Sequence, residues 1–223
     1  MTDILHSNLL SQLDWIEHGF GTRQAKLSQN GMASLKQIHS ALSLIVADRR
    51  TGCVGASGCV GEGDALITDA PGTAVSIRTA DCFPILLADN QRHVVAAVHA
   101  GWRGTAGRIV AGTLARMHDE FGTEARDVYA AIGPGIGACC YEVGADVARL
   151  FGLEHAGKPD LAEANRRQML ESGVPEAHIE MMRRCTFCDA EWFHSYRRDK
   201  DTAGRMVSYV RALTGSSEDS SRR

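Results

Sequence analysis

Three residues stand out for the chemistry their types allow: His39, Cys82 and His99, each where a run of strand-forming residues ends or turns. Two imidazoles and one thiolate suit Zn(II). Three protein ligands leave the fourth tetrahedral position open, which is the arrangement of a catalytic rather than a structural zinc. Copper accepts the same donors. The three lie far apart along the chain and include no short-range ligand pair, so spacing alone does not separate a metal centre from three packing residues. His99 opens the stretch His99-Ala-Gly-Trp-Arg-Gly104. Its glycines let the backbone turn, and a helix expected to start near Thr105 presents unpaired N–H groups there beside the cation of Arg103, a combination that attracts anions.

Two further groups invite a chemical reading. His178-Ile-Glu180 followed by Cys185-Thr-Phe-Cys188 resembles the ligand pattern of zinc deaminases, but only Met181 to Arg184 separate its halves and the proline before the first Cys is missing. With no second pair at zinc-finger spacing, Cys185 and Cys188 read as reduced core thiols. Gly133-Pro-Gly-Ile-Gly137 lacks the Lys-Ser/Thr of a phosphate loop and reads as a backbone-shaping turn.

The elements that must position these residues follow from periodicity. Val94 to Val98 is a buried strand running into the His99 turn, and Ala106, Ile109, Val110, Thr113, Leu114, Met117 and Phe121 draw one apolar stripe along a helix from about Thr105 to Gly122. Trp15 to Phe20, Asp64 to Thr68, Thr73 to Thr79, Pro84 to Ala88, Val128 to Ile132, His178 to Met182 and Arg205 to Arg211 read as strands. Leu35 to Asp48 reads as two strand pieces pivoting at Ser40, with His39 at the pivot. Helices are expected from Gly144 to Phe151 and from Asp160, which can cap its own helix with Glu163 answering, to Ser172. Phe193 to Asp199 reads as a loop.

At 223 residues and 44% hydrophobic content the chain can bury one large core, which points to a single domain over 1–213 and a disordered tail over 214–223. A net charge of -3 offers no reason to expect nucleic acid or an anionic membrane as partner. No run approaches the ~20 apolar residues of a membrane span, and polar residues interrupt the N-terminal stretch where a signal peptide needs an apolar core. The expected location is the cytoplasm. Seven cysteines in such a chain argue for thiols or metal ligands rather than disulfides.

Lys36-Gln-Ile-His-Ser40, Asp64-Ala-Leu-Ile-Thr68, Thr79-Ala-Asp-Cys82 with Pro84, Val98-His-Ala-Gly-Trp-Arg-Gly104, Ala131-Ile-Gly-Pro-Gly135 with Tyr141-Glu-Val-Gly144, and Tyr196-Arg-Arg-Asp199 together resemble the laccase-domain family, the YfiH-type group also called polyphenol oxidases and purine nucleoside phosphorylases. The resemblance runs from about Glu17 to Val210. It implies an α+β fold, a four-layer α/β/β/α sandwich, with zinc held by His39, Cys82 and His99. It also implies phosphorolysis of adenosine, guanosine, inosine and methylthioadenosine, with adenosine deamination beside it. Arg103 and the helix start at Thr105 would then meet phosphate. Asp64 and Asp81 are candidates to orient the imidazoles, and Arg23, Arg197 and Arg198 are further anion ligands. The chain departs from the family in its short segment between Gln24 and Lys36. Two other readings stay open: a metal-free Cys82–His99 nucleophile and base, as in the deamidase toxins the fold resembles, and a copper-dependent polyphenol oxidase.

Overall fold

The computed structural model describes residues 4–27, 29–47 and 59–214. Its strands, in chain order, begin with β1 (Ile4–Leu5), β2 (Ile16–Gly21), β3 (Ser34–Lys36), β4 (Ser43–Ile45), β5 (Cys59–Glu62) and β6 (Ala65–Thr68). They continue with β7 (Val75–Thr79), β8 (Phe83–Asp89), β9 (Val95–Ala100), β10 (Val128–Ile132), β11 (Ile179–Met181) and β12 (Met206–Ala212). The helices are α1 (Trp102–Ala106), α2 (Ile109–Phe121), α3 (Ala145–Arg149), α4 (Leu161–Glu171) and α5 (Tyr196–Asp199). The tail expected over 214–223 lies outside the described residues beyond Thr214, as does Cys53.

Two sheets form the centre. One is antiparallel, in the order β1-β2-β12-β7; the other has the order β11-β10-β8-β9-β6-β4, antiparallel inside and parallel at both edge pairs. A parallel pair, β3 and β5, lies beside them. The strands β8 and β9 explain the layering. They are apolar at every position but Asp89 and His99 because their two faces enter different cores. Ile85, Leu87, Ala96 and Val98 pack under α2 and α4 with Ile109, Leu114, Met117 and Met169. Leu86, Ala88, Val95 and Ala97 meet Phe20, Val75, Ile77 and Val210 of the other sheet. The mixed α+β class expected from the sequence is the class observed.

The long helix expected from Thr105 is two helices. Arg108 takes a left-handed conformation (φ 60°) between α1 and α2, and the chain there lies tight against the segment after β3: a Cβ on Gly104 would stand 3.0 Å from the Ser40 carbonyl, and one on Gly107 3.0 Å from Ala41. A continuous helix would drive its first turn into that segment. Most strands fall within a residue or two of expectation, while β4 is shorter. The stretch Phe193 to Asp199 is not wholly loop, because the Ser195 side chain accepts from the Arg198 N–H and caps the single turn of α5. No helix among the described residues is long and apolar enough to cross a membrane.

Candidate metal centre

His39, Cys82 and His99 converge where β9 ends and the turns after β3 and β7 meet it; their ligand atoms all lie within 4.8 Å of one another. The imidazoles of His39 and His99 stand edge to face with centroids 5.0 Å apart. His99 is the last inward-facing position of β9 on the face that carries Val95 and Ala97. Asp64, one residue before β6, continues the face of Leu66 and Thr68, and its Oδ1 lies 2.8 Å from His99 Nδ1. That carboxylate fixes the tautomer with hydrogen on Nδ1 and leaves Nε2 free for a metal, the usual support of a ligand histidine.

The same carboxylate builds the turn that carries His39. It accepts from the backbone N–H groups of His39 (3.0 Å) and Ser40 (2.5 Å) and from Ser40 Oγ (2.7 Å). These bonds hold His39 in the left-handed region, φ 58°, where a residue with a side chain needs such restraint. Asp81, at φ 88°, forms the corresponding corner before Cys82. It touches neither imidazole: Oδ1 accepts from Thr186 Oγ1 at 2.7 Å and Oδ2 from the Arg197 N–H at 2.6 Å. Of the two candidate orienting carboxylates, Asp64 reaches a histidine and Asp81 instead ties its corner to the segments after Cys185 and Ser195.

Gly101 completes the fit. A Cβ there would stand 2.8 Å from Cys82 Sγ and 3.5 Å from His39 Cδ2, so the space in which the three donors meet exists because the residue is glycine. Charge is arranged to suit a metal. Burial alone would raise the Cys82 thiol, but hydrogen bonds to His39 and His99 outweigh it and bring the thiol down to about 7. Burial would lower His99, and the contacts with Asp64 and Cys82 reverse this and raise it to about 9. Asp64 is depressed to about 2 despite its burial, through His99 and Ser40. The donor set and its support therefore fit a divalent metal such as zinc.

The centre forms the floor of a cleft of about 630 Å3. Lys36, Arg78, Arg103, Arg197, Lys200 and Arg205 line it, against the single carboxylate of Asp81, whose oxygens are already taken. Arg103 lies over the Trp102 ring at 4.3 Å and Arg197 at 5.3 Å from the Tyr141 ring. Burial, then the charge of Cys82, pushes the Tyr141 phenol up to about 12. Thr105 is elsewhere. It is 1% exposed inside α1, its Oγ1 accepts from Asn165 of α4, and its N–H is spent on Gly101, so it offers no free amide to an anion. Arg198 is committed to the carbonyls of Thr186, Phe187 and Phe193, and Arg23 pairs with Asp199. Among the expected further arginines, Arg197 alone lines the cleft. Lys36 opens the motif that carries His39 and is paired with Glu62 at 2.6 Å; Arg78, Lys200 and Arg205 carried no signal in the sequence, since a lone surface cation looks the same wherever the fold places it.

The family model described as multi-copper polyphenol oxidoreductase laccase matches residues 20–212. The chain belongs to that family. Within it, the chain is 45% identical over 161 residues to a Bacteroides thetaiotaomicron protein named purine nucleoside phosphorylase, a match covering 66% of this chain and 60% of that one. It is 38% identical over 161 residues to adenosine deaminase RL5 from an unknown prokaryotic organism, covering 66% of this chain and 61% of the relative. The matched part thus spans about three fifths of these two relatives' length. The crystal structure of Bacillus licheniformis hypothetical protein YfiH superposes with a TM-score of 0.85 at 26% identity, covering 96% of this chain and 97% of the other.

Proposed function

We propose that this chain is a zinc-dependent purine nucleoside phosphorylase accepting adenosine, inosine, guanosine and methylthioadenosine, with adenosine deamination as a side activity of the same site. The observation that carries the proposal is the convergence of His39, Cys82 and His99 on the floor of a cleft walled by cations. Relatives named for both activities support it. Zinc held by His39, Cys82 and His99 would supply a Lewis acid.

The chain's own residues do the rest. Asp64 keeps the Nδ1 proton on His99 and so aims Nε2 at the cleft. Arg103 and Arg197, already steered by the Trp102 and Tyr141 rings, neutralise the phosphate dianion and hold an oxygen toward the ribose C1′. Tyr141 keeps its proton on Oη at any physiological pH and enters the cleft as a hydrogen-bond donor to substrate. Donor count favours zinc over a multi-copper assembly: among the described residues, no cluster of metal-ligating side chains holds more than two imidazoles.

The test is chromatography of adenosine incubations with and without phosphate and chelator. Adenine and ribose 1-phosphate should form only with phosphate, inosine should form without it, and both should vanish in His99→Ala; a metal-replete protein giving neither product refutes the reading. Arg103→Ala should raise the KM for phosphate about tenfold or more and leave that for nucleoside nearly unchanged. The thiol held near 7 by two histidines favours one rival, a Cys82–His99 hydrolase. That enzyme would cleave amides after chelation and lose activity to thiol alkylation.

A further inference from the structure

Beyond the histidine centre, the fold gathers a second set of metal-binding side chains that the proposed reaction does not use. Cys139 and Cys140 sit in the turn after β10, where the N–H groups of Cys140 and Tyr141 both bond the Gly137 carbonyl. Cys185 and Cys188 follow β11. Because β10 and β11 are parallel neighbours, both segments leave the sheet at the same end, and a bridge between Gly135 and Cys185 continues the pairing past the strands. The four sulfurs consequently lie within 4.8 Å of one another.

Three features of this cluster point to one ligand chemistry. Cys188 Sγ stands 3.3 Å from Cys140 Sγ and 3.7 Å from Cys139 Sγ. Tetrahedral zinc with bonds of about 2.3 Å to sulfur sets sulfur–sulfur edges of about 3.8 Å, whereas a disulfide needs about 2.05 Å. Cys185 Sγ accepts backbone N–H groups from Gly137, at 3.3 Å, and from Phe187 and Cys188. Amides aimed at the first sulfur of a Cys-x-x-Cys turn stabilise a ligating thiolate as outer partners do at other metal sites. Gly137 makes room, since a Cβ there would stand 3.3 Å from Cys139 Sγ and 3.5 Å from Cys185 Cβ.

We propose that Cys139, Cys140, Cys185 and Cys188 bind a second, structural zinc ion, closed by four thiolates and independent of the centre at His39, Cys82 and His99. Its placement gives it a task. The turn it holds delivers Tyr141 to the cleft, one residue after Cys140. The segment it holds carries Thr186, which bonds Asp81 beside Cys82, and leads to Arg197. The ion clamps these two segments, so the walls of the cleft keep their spacing while its floor stays open to substrate.

Elemental analysis of purified protein should find two zinc ions per chain, falling to one in Cys140→Ser, to one in His99→Ala and to none in the double variant. Loss of the ion in Cys140→Ser should lower the melting temperature by more than about 5 °C. Cobalt substitution removes dependence on any one variant's folding. In Cys82→Ala loaded with Co(II), the histidine centre has no sulfur left to give a charge-transfer band, and the intense near-ultraviolet absorption of a four-thiolate cobalt is expected, more than the two other thiols, Cys53 and Cys59, can supply. The proposal fails if the wild type holds one zinc that Cys140→Ser leaves in place, if cobalt-loaded Cys82→Ala shows no such band, or if mass spectrometry of the native protein finds these cysteines joined as a disulfide. The histidine-centre reading fails separately, through retention of two zinc ions in His99→Ala.

Discussion

Asp64 illustrates how much one side chain can carry: it sets the tautomer of His99 and holds the strained turn of His39. Asp64→Asn keeps the size but substitutes an amide donor where backbone N–H groups need an acceptor. Zinc affinity at the histidine centre should fall about 10–100-fold, read by competition with a chromogenic chelator. Gly101→Ala is the sharper probe, because its backbone, at φ -83°, accepts alanine and the conflict lies only with Cys82 Sγ. We expect zinc at that centre to be lost or bound at least tenfold more weakly, with the circular dichroism spectrum unchanged. An alanine variant of full affinity would mean that the donors do not meet where the structure places them.

Helices and strands set these residues at their stations, and some of the stations were legible. His39, Cys82 and His99 stood at turns flanked by readable strands, and the structure brings them together. The cap of α4 was legible in its first half: Asp160 Oδ1 accepts the Glu163 N–H at 2.9 Å, while the Glu163 carboxylate, expected to answer, pairs with Arg166 and Arg167 instead. Asp160→Ala should cost about 1 kcal/mol of stability by denaturant titration, with activity intact. What stayed hidden depended on which elements become neighbours. Cys185 and Cys188 read as isolated because their companions are an adjacent Cys139-Cys140 pair on the far side of α3 and α4, reachable only through the parallel pairing of β10 with β11. The break between α1 and α2 was hidden too, since it answers to the backbone of residues 40 and 41 rather than to the helix's own apolar stripe.

At the scale of the whole molecule, stability should respond to pH through His18, buried between the sheets with Nε2 accepting the Ser7 N–H. Burial, with the charge of His6 adding to it and Glu180 and Glu17 opposing, lowers His18 from 6.5 to about 4. Between those values the unfolded chain binds the extra proton, so stability is fully present above about 6.5 and falls as the pH drops toward 4, by on the order of 3 kcal/mol. Urea midpoints at pH 7 and pH 5 should differ less in His18→Gln than in the wild type; equal shifts would remove His18 from the account. The pairing of β8 with β9 has its own consequence for assembly. Pro84 faces His99 across that ladder, and Asp64 reaches His99 from the start of the adjoining strand. A slip of one residue in β9 would turn His99 away from Asp64 and toward the helices, leaving the apolar pattern of a strand buried on both faces almost undisturbed. Hydrophobic burial therefore discriminates poorly between the correct pairing and its nearest error. Capture of a metal ion by His39, Cys82 and His99 would supply the missing selection: a misthreaded chain would remain metal-free, and a holo form would accumulate only from chains whose central strands are aligned.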